Sequence, residues 1–124
     1  MRRFCTLLFA VLLFACGQKA PEPVSFREKI QPVLNDRCAR CHGTEKTFGK
    51  VVLTSYESVM SSRTHPGKKA LVVPGTLSES WLYILCATDQ PHYRMPPDTS
   101  KVTPLPKDEL ELMARWILQG AKNN

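Results

Sequence analysis

The sequence predicts an all-α domain of about four short helices, joined by long loops and wrapped around one covalently attached cofactor. Three observations predict it. Cys38-Ala39-Arg40-Cys41-His42 has the spacing Cys-x-x-Cys-His, the attachment signature of a c-type haem. Apolar residues recur at helical spacing near both ends of the chain, with no sustained strand-like alternation. Ten prolines and 43% apolar residues in 124 positions suggest short helices separated by stiff loops.

The motif has a chemical logic. Two thiols add across the two haem vinyl groups, giving thioethers that cannot dissociate. On a helix, positions i and i+3 share a face, so Cys38 and Cys41 would reach one porphyrin edge. His42 then follows under the iron as an imidazole ligand. A zinc site would need a second Cys or His pair at a set distance. A thioredoxin-like redox pair would need a βαβ setting. Beyond the motif and the leader, the cysteines are Cys16 and Cys86, and His65 and His92 stand apart. One haem c is therefore the expected cofactor.

The chain is long enough for one domain. Residues 1–15 read as a signal peptide: Arg2 and Arg3, then an apolar run over 4–15. That run is shorter than the roughly 20 residues a bilayer span needs. Its end, Leu13-Phe14-Ala15-Cys16-Gly17, resembles a bacterial lipobox, which makes Cys16 the lipidated residue and the membrane anchor. Ordinary cleavage with Cys16 left as a free thiol is the alternative. Cys5 falls in the removed leader. Residues 16–24 form the lipidated tether, stiffened by Pro21 and Pro23, and residues 25–124 form the domain. Removing Arg2 and Arg3 takes the formal charge from +6 to +4. That is too little to argue for nucleic acid, and it suits an acidic redox partner.

Ser25 with Glu28 fits a capping box that opens a helix running from about Phe26 into the haem motif. Phe26, Ile30, Val33 and Leu34 are its buried face, and Pro32 predicts a kink or two short helices. Residues 43–50 read as a loop and 51–53 as a short apolar run packed on one haem face. Thr54 with Glu57 predicts a short helix to about Met60. Residues 61–69 are a charged loop, and Pro74-Gly75 is a turn. A helix over 77–86, capped by Thr76 or Ser78, turns Trp81, Leu82, Ile84 and Leu85 mostly inward. It ends at Cys86, read as a buried apolar thiol. Residues 107–119 give the clearest helix. Leu110, Met113, Ala114, Ile117 and Leu118 form its apolar face, Trp116 lies beside it, and Gly120 stops it.

Met95-Pro96-Pro97 is the expected source of the second iron ligand. Proline fixes its own φ and holds the preceding residue extended, so Met95 sits on a stiff strap. His42 and Met95 together would give six-coordinate iron with a raised potential. Met60 and Met113 sit at core spacing. His65 and His92 are the rivals, with His92 nearer the strap.

With these pieces in place the chain resembles the small domains called planctomycete-type cytochrome c. The resemblance runs over residues 26–121. It rests on Cys38-x-x-Cys41-His42-Gly43, Val51-x-Leu53-x-Ser55-Tyr56, Pro74-Gly75, Ser80-x-Leu82-Tyr83, Met95-Pro96-Pro97, Leu105 and Trp116-Ile117-x-x-Gly120-Ala121. It implies a cytochrome c-like fold, His/Met ligation and electron transfer. Pro106 departs from the family's usual Ser or Thr helix cap. Residues 61–69 replace its usual glycine-rich stretch. The expected protein is a monohaem electron-carrying lipoprotein of the bacterial cell envelope or periplasm, a monomer or one subunit of a complex. Lys46, Lys50, Lys68 and Lys69 would orient the partner. A haem subunit of a larger envelope oxidoreductase is the first rival. An enzyme or gas sensor with an open sixth site is the second, so enzymatic activity stays open.

Overall fold

Four α-helices and three shorter helical turns make up the described part of the chain, residues 21–124, in a computed structural model. Residues 1–20, to which the sequence assigns the expected leader, Cys16 and the first part of the expected tether, lie outside the described residues. Among those described, no helix is long and apolar enough to cross a membrane. The described residues form no strands, only two isolated bridge pairs, His42 with Thr47 and Arg63 with Ala70.

The first helix divides at Pro32, as its position predicts. A π-helical turn, Phe26–Ile30, leads into α1, Gln31–Arg37. Ser25 Oγ accepts from the Glu28 backbone N–H at 3.2 Å, one half of the predicted capping box. Pro32 is the second residue of α1 and has no N–H to give to the turn before it, which fits the change of helix type there. Phe26, Ile30 and Leu34 are buried and Val33 is partly buried. The entry to this helix is tied to the end of the chain. Ser25 Oγ donates to Asn124 O at 2.8 Å, Phe26 N–H to Asn124 Oδ1 at 2.9 Å, and Val24 N–H to Gln119 Oε1 at 2.7 Å. Val24 is itself in the core, so the end of the tether is packed into the domain.

Helix α2, Tyr56–Ser61, is capped by Ser55 and Ser58, not by Thr54 and Glu57. Ser55 Oγ accepts from Ser58 N–H at 3.1 Å, and Ser55 N–H donates to Ser58 Oγ at 3.0 Å. A hydroxyl three residues on completes the box as a carboxylate would.

The predicted 77–86 helix is broken in two. A 3₁₀ turn, Leu77–Glu79, precedes α3, Trp81–Ala87. Ser80 causes the break. It is fully buried, and its hydroxyl lies 2.7 Å from Thr76 O and 2.9 Å from the Val73 N–H it accepts. Neither Thr76 nor Ser78 caps through its side chain. Leu82 and Cys86 are buried, while Trp81, Ile84 and Leu85 are only partly so.

Helix α4, Lys107–Leu118, packs against the Phe26–Ile30 turn and α3. Its buried residues are Met113, Trp116 and Ile117; Leu118 is 55% exposed. The apolar face is thus rotated from the predicted one. Trp116 takes the central place because Phe26 packs on it at 5.3 Å and its indole N–H donates to Lys122 O at 3.0 Å. Gly120, at φ 98°, ends the helix as expected. Complete burial of Ile30, Leu34 and Ile117 stabilises the domain by about 1.5–3 kcal/mol each.

Candidate haem cavity

Arg37 ends α1, and the Cys-x-x-Cys-His motif lies on the turn that follows, not on the helix itself. Helix-like bonds still place the two sulfurs together. Cys38 N–H donates to Leu34 O at 2.9 Å, Cys41 N–H to Cys38 O at 3.1 Å and His42 N–H to Cys38 O at 2.9 Å. Gly43 closes the turn. A Cβ there would stand 2.7 Å from the Ala39 carbonyl oxygen. Gly49 and Lys50, at φ 63° and 60°, reverse the chain, and Leu53 N–H bonds His42 O at 2.8 Å. Val51 and Leu53 are buried as a result, facing the motif.

The His42 imidazole is fixed by its neighbours. Its Nδ1 lies 3.1 Å from the Phe48 carbonyl oxygen. A carbonyl can only accept, so Nδ1 carries the proton and Nε2 keeps its lone pair. This is how ligating histidines are oriented at metal sites. Burial holds the His42 pKa below its usual value, with backbone contacts at Val51 and Phe48 opposing. The ring is accordingly neutral near pH 7 and available as a ligand.

Met95 reaches the same place from the far side of the sequence. Its N–H donates to Leu85 O at 2.8 Å, which fastens the strap to α3, and Pro96 is buried behind it. Cys38, Cys41, His42 and Met95 all line one cavity of about 520 Å³. Its walls are mainly apolar, with Val51, Leu53, Leu71, Leu82 and Leu85 among them. Cofactor cavities commonly hold about 300–1,000 Å³. A cavity of this size, with two thiols, an oriented imidazole and a thioether along its lining, fits a haem.

The structure separates the rivals for the sixth position. His92 does not line the cavity, although it is near Met95 in sequence; His65 does. Met113 is a core residue, 1% exposed, and Met60 packs partly against the core. Cys86 is buried and lines the cavity wall. Burial pushes the Cys38 and Cys86 thiols up to about 12, so neither is a reactive thiolate. Among the described residues no group of three or more His, Cys, Asp or Glu side chains could hold a metal ion. Sequence reasoning gave no role to Arg37, Thr64, Thr99 or Ser100, all of which line the cavity. Only the position of Arg37 beside the motif hinted at this.

An all-α domain with a haem-sized cavity behind a Cys-x-x-Cys-His turn has the fold and site of a c-type cytochrome. The family model for Planctomycete cytochrome C matches residues 38–99, half of the chain, and the chain belongs to that family. No curated protein and no solved structure matches it. Membership makes it a haem-binding protein of an electron-transfer family, with haem c as the implied cofactor.

Proposed function

We propose that the protein is a monohaem c-type cytochrome that carries single electrons in the bacterial cell envelope. Cys38 and Cys41 would hold the haem as thioethers, and His42 and Met95 would bind its iron. The observation that carries this reading is the His42 ring, locked by the Phe48 carbonyl inside a cavity that Met95 also lines. The bound haem supplies reversible one-electron iron chemistry. The chain's own residues do the rest. Phe48 O aims the imidazole. The bond from Met95 N–H to Leu85 O places the thioether. Leu53, Leu71 and Leu82 exclude water. A rigid ligand set keeps reorganisation small when the charge on iron changes.

Lys46, Lys50 and Lys68 are exposed, and Lys69 is held 4.6 Å over the Trp81 ring. Residues 58–78 contain no Asp or Glu. This basic stretch beside the cavity suits an acidic redox partner. Lipid on Cys16, after removal of residues 1–15, anchors the domain to a membrane face, alone or as the haem subunit of a larger oxidoreductase.

The test is a one-electron redox titration of the purified protein, followed by carbon monoxide. A single reversible wave and a reduced spectrum unchanged by the gas support the carrier. A rapid carbon monoxide shift would favour a gas sensor or enzyme with an exchangeable sixth site.

A further inference from the structure

We propose that His65 donates a hydrogen bond to a haem carboxylate and sets the charge at that end of the cavity. This rests on the reading that the cavity holds haem. A haem has a vinyl edge and, across the ring, an edge bearing two propionates. If Cys38 and Cys41 fix the first, the carboxylates lie at the opposite edge. Anions beside apolar walls need charged or hydrogen-bonding partners.

Most polar groups of the lining are already taken. Arg37 Nε and Nη2 each lie 3.2 Å from an oxygen of Glu109, and its Nη1 donates to Thr103 Oγ1 at 3.0 Å. Ser100 Oγ donates to Val102 O. His42 Nδ1 donates to Phe48 O. Among the described residues, and leaving aside the cysteine thiols, the lining side chains that donate to no protein acceptor are Thr64, Thr99 and His65. Of these only His65 can also carry a positive charge.

The loop around His65 is built for an anion. Thr64 N–H bonds Lys69 O at 2.9 Å, and Lys69 N–H bonds Thr64 Oγ1 at 3.0 Å, so the loop closes on itself and presents His65 at the cavity. Arg63 is pinned to the carbonyls of Met60 and Ser62, both at 2.9 Å. Lys69 is pinned over Trp81. Arg63, Lys68 and Lys69 flank His65 in the loop, and no acid occurs between residues 58 and 78, so the loop itself carries positive charge. His65 is exposed, which places it at the cavity mouth, where a carboxylate also meets water.

The experiment uses the haem-loaded protein with His65→Ala and His65→Gln. Resonance Raman reads the propionate bending mode, a redox titration reads the midpoint potential, and the visible spectrum reads the axial ligands. His65→Ala is expected to shift the propionate mode and leave the axial spectrum unchanged. Loss of the donor leaves the carboxylate more negative and favours oxidised iron. The reduced-to-oxidised ratio at a fixed applied potential should therefore fall by up to about tenfold, equal to 59 mV for one electron. His65→Gln keeps an N–H and should restore most of both. In the unaltered protein, nuclear Overhauser contacts should join the His65 ring to a propionate methylene. This readout stands even if His65→Ala does not load haem. An unmoved propionate mode in correctly ligated His65→Ala, or no such contact in the parent, overturns the proposal. So does a changed axial spectrum with the propionate mode unmoved, which would make His65 an iron ligand. Parent protein that contains no haem would overturn the reading of the cavity as well.

Discussion

Gly43→Ala tests whether the Cys-x-x-Cys-His turn is held as tightly as its hydrogen bonds imply. The added Cβ would stand 2.7 Å from Ala39 O, a backbone atom that cannot rotate away. Close C···O contacts lie near 3.3–3.6 Å, so the turn must open by roughly 0.6 Å or more. It is fastened on every side. Gly43 N–H bonds Lys46 O at 2.9 Å, Gly43 O accepts from Thr47 Oγ1 at 3.0 Å, and His42 O accepts from Leu53 N–H at 2.8 Å. Relief costs one of those bonds or strains the helical turn, about 1–3 kcal/mol in all. Gly43 is not at positive φ, so the effect is steric. Gly67→Ala is the control. A Cβ there meets Thr64 Oγ1 at an ordinary 3.5 Å, and the change should be neutral or stabilise by up to about 1 kcal/mol. Guanidinium unfolding of the haem-loaded variants measures both. Equal stabilities for Gly43→Ala and Gly67→Ala would refute the claim that the turn cannot yield.

Other expectations follow from single contacts. Ser80→Ala leaves the half-buried Val73 N–H without its acceptor and should cost about 1–3 kcal/mol in the same assay. Tyr56→Phe removes the bond from the phenol to Ala121 O, 2.9 Å long, but keeps the ring against Phe26. A loss of about 1 kcal/mol is expected. Met95→Ala should open the sixth position, so that added imidazole or carbon monoxide changes the optical spectrum at once. His92→Ala should leave that spectrum as it was, because His92 does not line the cavity.

The features legible in the sequence were those set by local spacing. The Cys-x-x-Cys-His turn, the Pro32 break, the stop at Gly120 and the core places of Ile30, Leu34, Met113 and Ile117 all follow from neighbours a few residues apart. The rest depended on partners far along the chain. Ser80 breaks a helix because Val73 and Thr76 bring backbone groups to its hydroxyl. Trp116 displaces Leu118 from the apolar face because Phe26 and Lys122 meet it there. His65 reaches the cavity because its loop closes through Thr64 and Lys69, which no periodicity records.

The intact mass of the mature, denatured protein tests the central claim most directly. The account predicts one haem retained after denaturation, and its complete loss in Cys38→Ala/Cys41→Ala. A mature chain of bare polypeptide mass, purified from a host able to attach c-type haem, would contradict it.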